Sequence, residues 1–221
     1  KDYGFVAVCM GKGITNILKD LGVDRVIEGG QTMNPSTDDI LKAVKRVKAK
    51  TVYVFPNNKN IIMAANQAAE LVEDKKIVVI PSKSVPQCIS AMVEFNDKKS
   101  AEANEKAMNK AIGRVTSGQL TYAVRDTEID GIEIKKDDIL GMVEGKIVTV
   151  GKDIDDVLNR VVSQMVDEDT EFLNVYYGKE IKKPQADVML KALETKYADD
   201  EIEVSFKKGG QPLYYYIISA E

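Results

Sequence analysis

The chain has no histidine. Its 221 residues include 0 His, 0 Trp, 2 Cys and 6 Pro. Without imidazole there is no Ser-His-Asp or Cys-His nucleophile, no His metal ligand and no unperturbed base that titrates near neutral pH. Cys9 and Cys88 are isolated thiols without metal-ligand spacing. They read as small buried residues of a reducing cytoplasm. No apolar run approaches the roughly 20 residues of a membrane span. A net charge of −4 with mixed signs lacks the clustered Lys and Arg of a nucleic-acid face. No signal peptide is visible at Lys1-Asp2-Tyr3, so a cytoplasmic location is expected. With no initiator Met, the chain is expected to be a piece of a longer protein.

What remains is an ordinary globular composition, 44% hydrophobic and 30% charged, with a regular alternation of elements. Phe5–Cys9, Arg25–Glu28, Thr51–Phe55 and Ile77–Ile80 read as strands. Between them, Ile14, Ile17, Leu18 and Leu21, then Ile40, Leu41, Val44 and Val47, then Ile61, Ala65, Ala68 and Val72 recur at helical spacing. Ser36 is an N-cap with Asp38 and Asp39 in the first turn. This pattern predicts a parallel, Rossmann-like sheet with right-handed crossovers over residues 1–98. Residues 99–221 mix hairpin-like alternation with the helical stripe Ile154, Val157, Leu158, Val161 and Met165. The fold class is therefore α/β, with two α/β domains, the second built on a mixed sheet.

One tripeptide occurs twice. Gly29-Gly30-Gln31 follows the second strand, and Gly209-Gly210-Gln211 follows a similar strand–helix–strand passage near the end of the chain. Double glycine permits left-handed backbone or close approach, and Gln brings both a donor and an acceptor. Three of the first four strands end in polar clusters. These are Gly29, Gly30, Gln31, Asn34 and Ser36; Asn57, Asn58, Lys59 and Asn60; and Ser82, Lys83, Ser84 and Gln87. In a parallel sheet all three lie at the carboxyl edge, where such folds bind ligands, and each opens a helix whose N-terminus favours an anion. They are candidates for a groove that takes a carboxylate, a phosphate or an acidic partner. Arg125, Gln211 and Tyr214 are the candidates in the second half. Gly11-Lys12-Gly13 is a lone Gly-x-Gly without the full dinucleotide fingerprint or a P-loop.

Taken together, Glu28–Thr37, Phe55–Asn60, Pro81–Gln87, Thr121–Thr127 and Gly209–Ser219 resemble the C-terminal region of the bacterial fatty acid kinase protein that carries the kinase domain. That family is also described as dihydroxyacetone kinase-like or DAK-phosphatase. The resemblance spans essentially the whole chain. It implies a DegV-like fold here, and ATP and magnesium held by an N-terminal domain that this chain does not contain. It further implies a DegV-like partner that presents a fatty acid, whose carboxylate becomes an acyl phosphate, and a homodimer formed through the parent protein. Two features depart from the family. Cys88 stands where a glycine usually follows Pro-Gln, which would be strained if that backbone needs positive φ. The histidine that captures dihydroxyacetone in the K-type kinases has no counterpart.

The expected function is a non-catalytic region, with no catalytic residue, no metal site and no cofactor of its own. It would bind the loaded partner, or an anionic ligand, in an interdomain groove. Two alternatives accompany it. One is a DegV-like carrier with a fatty acid in an interdomain tunnel, its carboxylate held by Ser82, Ser84 or Asn57. The other is a small-substrate, glycerone kinase-like domain acting by electrostatics through Lys59, Lys83 and Arg125.

Overall fold

The computed structural model describes residues 1–30 and 33–221. They form two compact units, Lys1–Met10 with Ile14–Val115, and Gly11–Gly13 with Thr116–Glu221.

The first unit runs β1 (Tyr3–Cys9), α1 (Lys12–Asp20), β2 (Arg25–Glu28), α2 (Thr37–Lys45), β3 (Thr51–Phe55), α3 (Ile62–Glu70), β4 (Lys76–Val79), α4 (Val85–Glu94) and α5 (Ala101–Gly113). The sheet order is β2-β1-β3-β4, and every pairing is parallel. Nearly every residue of β1 and all of β3 are buried, as their unbroken apolar runs require of strands covered on both faces. Val6, Val8, Val52 and Val54 pack with Ile40 and Val44 of α2 and Ala65 and Ala68 of α3. Alternate residues Phe5 and Tyr53 face the other way, where their rings and that of Phe95 lie 4.8 to 6.1 Å apart. Full burial of each such side chain contributes about 1.5–3 kcal/mol.

α2 starts where the sequence places it. Ser36 Oγ accepts the Asp39 N–H at 3.1 Å, and Asp39 accepts the Ser36 N–H at 3.0 Å, the reciprocal pair of a capping box. The sequence reading divides the chain after residue 98, whereas α5 groups with the first unit. It packs along α4, and the Tyr53 hydroxyl donates to Ala101 O at 2.9 Å.

The second unit continues with β5 (Thr116–Tyr122), β6 (Thr127–Ile129), β7 (Ile132–Ile134), β8 (Ile139–Val143), β9 (Lys146–Gly151), α6 (Ile154–Met165), β10 (Phe172–Tyr177), α7 (Lys183–Lys196), a 3-10 turn (Ala198–Asp200), β11 (Glu203–Lys208) and β12 (Tyr216–Ala220). Its main sheet is mixed, in the order β11-β10-β12-β5-β8-β9, with only β10 and β11 parallel. Asp130-Gly131 and Glu144-Gly145 both have positive φ, the signature of tight two-residue hairpin turns. Val157, Leu158, Val161, Val162 and Met165 of α6 and Ala186, Met189 and Leu193 of α7 join Leu173, Val175, Tyr216 and Ile218 of the sheet in one core.

The repeated tripeptide has a structural counterpart. β1-α1-β2 and β10-α7-β11 are both parallel strand–helix–strand units, and both β2 and β11 are edge strands. A Gly-Gly pair follows each of them.

Candidate functional site at the carboxyl edge of the parallel sheet

Strand order reverses between β1 and β3, the position at which open α/β sheets form a ligand crevice. Here that position is filled by Asn57. Its backbone takes φ 58°, which Asn tolerates better than most residues. Its Nδ2 donates to Val8 O at 2.9 Å, and its N–H donates to Ser82 Oγ at 3.2 Å. The Ser82 hydroxyl donates back to Asn57 Oδ1 at 2.7 Å. Ser82 is wholly buried. The two polar residues tie the loops after β3 and β4 together, and the bond to Val8 O crosses the crevice to β1.

The neighbouring polar groups are likewise engaged with the chain itself. Asn58 Oδ1 accepts the Asn60 N–H at 2.9 Å. Ser84 Oγ accepts the Gln87 N–H at 3.2 Å and caps α4. Gln87 Oε1 accepts the Lys83 N–H at 2.7 Å, and its Nε2 donates to Ile112 O at 3.3 Å. Ser36 and Ser84 thus take up the N-termini of α2 and α4, while α3 has no side-chain cap. Cys88 lies inside α4 with no positive φ, so a side chain at that position carries no backbone strain. Burial pushes its thiol upward, against a hydrogen bond with Asn57 that lowers it. Burial likewise raises the Cys9 thiol, whose Sγ lies 3.5 Å from Thr15 Oγ1.

Of the candidates in these three loops, Asn34, Ser36, Lys59, Asn60 and Lys83 are exposed, and of these Ser36 is spent on capping α2. Met33 and Met63 stand with these loops at 57% and 72% exposure. Sequence reasoning left both out. Met63 falls off the apolar stripe of α3 and belongs to no motif. Gly29 is buried, and a Cβ there would lie 2.6 Å from Met33 O. Gly30 and Met33 exchange backbone hydrogen bonds of 2.9 and 3.1 Å. Gln31 lies outside the described residues. A surface cavity of about 620 Å³ beside β2 is lined by Arg25, Glu28, Met33, Asn34, Lys42 and Arg46, among others.

The remaining candidates belong to the second unit. Gln211 is 2% exposed, and its Nε2 donates to Tyr176 O at 2.9 Å. Its side chain is part of that unit's interior. Tyr214 is half-buried and Arg125 is exposed in the loop after β5. Gly11 and Gly13 lie against Lys208–Gln211, and a Cβ on Gly13 would collide with Lys208 O. This close backbone approach leaves the Gly-x-Gly no room to cradle a phosphate. At the start of α6, burial raises the Asp155 carboxyl and the Tyr216 phenol above their ordinary ranges. Asp155 Oδ1 and the Tyr216 hydroxyl have no partner among the described residues.

No three His, Cys, Asp or Glu side chains converge on a metal position among the described residues. No helix among them is long and apolar enough to cross a membrane.

A parallel unit followed by a mixed-sheet unit is the architecture of DegV-family proteins. A DegV-family protein of Corynebacterium glutamicum superposes with a TM-score of 0.67 at 12% identity, covering 99% of this chain and 96% of that one. The Streptococcus pneumoniae fatty acid kinase B3 protein, solved with linoleic acid, superposes with a TM-score of 0.63 at 10% identity, covering 100% and 99%. At such identity the likeness concerns the fold. Residues 4–221 match the model for the C-terminal region of FakA-like fatty acid kinase proteins, and the chain belongs to that family. It is 50% identical over 219 residues to protein YloV of Bacillus subtilis, covering 99% of this chain but 39% of that protein. The chain thus spans about two fifths of that relative's length.

Proposed function

We propose that this chain is the docking region of a fatty acid kinase-like protein, binding a fatty-acid-loaded DegV-like partner while a separate domain supplies ATP and magnesium. The observation that carries this reading is the division of labour at the carboxyl edge. The polar groups placed where a small ligand would sit, Asn57 and Ser82, satisfy each other. The exposed set, Asn34, Lys59, Asn60 and Lys83 with Met33 and Met63, combines two cations and two amides with two adaptable methionines, the residue type of the set that is enriched at protein interfaces. Family membership agrees with this reading.

The test is a sedimentation experiment with the purified chain and a fatty-acid-loaded DegV-family protein from the same organism. A saturable complex is expected, with no ATP turnover and no acyl phosphate. Turnover by the chain alone, or no complex at micromolar concentrations, overturns the proposal.

A further inference from the structure

The exposed carboxyl-edge residues leave one neighbouring feature unused. β2 pairs with β1 and has no strand on its other side among the described residues. Gly29 donates its backbone N–H to Cys9 O at 3.1 Å, and Thr51 on the other side of β1 donates to Asp2 O at 3.0 Å. Backbone groups alternate sides along a strand, so Arg25 and Ile27 pair with β1 in this register, and the N–H and C=O of Val26 and Glu28 face the open edge. The cavity of about 620 Å³ runs along this edge, and a second of about 290 Å³ shares Arg25 and Arg46 with it and adds Lys1 and Lys48.

The strip is basic in a chain whose net charge is −4. Lys1, Arg25, Lys42, Arg46 and Lys48 line it, against Asp24, Glu28 and Asp39. Two of those acids are already engaged. Asp24 pairs with Lys1 and accepts the Phe5 N–H at 2.8 Å, and Asp39 accepts the Ser36 N–H. Lys42 pairs with Asp38. Arg25 and Arg46 form no ion pair among the described residues. An unpaired strand edge beneath two free guanidinium groups is complementary to an extended segment that carries carboxylates. Main-chain hydrogen bonds would supply the attachment, and the arginines the charge selection.

We infer that β2 receives an acidic, extended segment of the DegV-like partner, added as a further strand that pairs with the backbone of Val26 and Glu28. This rests on the docking proposal. Exposed charge on a short edge strand also serves to repel other chains, and that role requires no effect on partner binding.

The experiment is amide hydrogen exchange followed by NMR on the whole chain, alone and with the fatty-acid-loaded DegV-family protein, together with Arg25→Glu/Arg46→Glu. Exchange at the Val26 and Glu28 amides should slow in the complex. The double variant, folded by its amide spectrum, should bind roughly tenfold more weakly or worse, and wild-type affinity should fall with added salt. The milder Arg25→Ala/Arg46→Ala pair serves if charge reversal unfolds the unit. A complex that forms with both amides unprotected and with affinity indifferent to the substitutions overturns the strand-addition inference and leaves docking standing. No complex overturns both. If the substitutions abolish self-association instead, the occupant is a second copy of this chain and the inference falls.

Discussion

Asn57 and Ser82 hold each other by two hydrogen bonds, one from the Asn57 backbone to Ser82 Oγ at 3.2 Å and one from the Ser82 hydroxyl to Asn57 Oδ1 at 2.7 Å. The bond from Asn57 Nδ2 to Val8 O extends this bridge from β4 to β1. These atoms are structural ties of the sheet's carboxyl edge. Ser82→Ala removes an acceptor and a donor in a fully buried setting, which should cost about 1–3 kcal/mol. Urea unfolding of the variant should show that loss, with partner affinity of the folded protein unchanged. Wild-type stability would assign the pair no structural role.

The two thiols should be silent in the native state. Cys9 and Cys88 are buried and burial disfavours both thiolates, and only the thiolate is nucleophilic. A colourimetric thiol assay at mildly alkaline pH should therefore report almost nothing until denaturant is added, then both thiols. Rapid labelling of folded protein would contradict their placement.

Asp155 gives a pH dependence of definite sign. Burial raises its folded-state pKa above the ordinary value of 3.8, against a hydrogen bond from Gln185 that lowers it. Between 3.8 and the raised value, the folded chain holds more protons than the unfolded one, so this group's contribution falls as pH rises through that window. Above it the penalty is constant. Asp155→Asn should raise the melting temperature by a few degrees at neutral pH, and the gain should vanish at strongly acidic pH. A lower melting temperature at neutral pH would mean that the charge stabilises α6.

Gly13→Ala should be poorly tolerated, because its Cβ would collide with Lys208 O. Backbone must move to relieve such a contact, at about 1–3 kcal/mol or more. Thermal unfolding should show the loss. Gly113→Ala, whose Cβ meets nothing within 4 Å, is the matched control.

The parallel sheet was legible because β1 and β3 are unbroken apolar runs separated by helices with clear 3.6-residue stripes. The mixed second sheet followed from shorter alternating strands. The three polar strand ends were legible as positions, but sequence does not say which polar atoms meet. Whether Asn57 would face a ligand or Ser82 is decided by a left-handed backbone and a long-range contact. Gln211 shows the same limit. After a double glycine its amide looks available, and the backbone directs Nε2 onto Tyr176 O while Oε1 stays buried without a partner among the described residues. The placement of α5 was missed because the polar Asn96–Lys99 stretch resembles a linker, while the anchors that hold α5 to the first unit are long-range contacts from Tyr53 and α4. Met63 was passed over because a lone methionine off a helical stripe carries no motif.

Docking at the carboxyl edge requires Lys59 and Lys83 to meet the partner. The most direct measurement is isothermal titration of a fatty-acid-loaded DegV-family protein into the wild-type chain and into Lys59→Ala/Lys83→Ala. The expected result is equal thermal stability and an affinity reduced by about tenfold in the double variant. Equal affinity in both proteins would contradict a docking role for this edge.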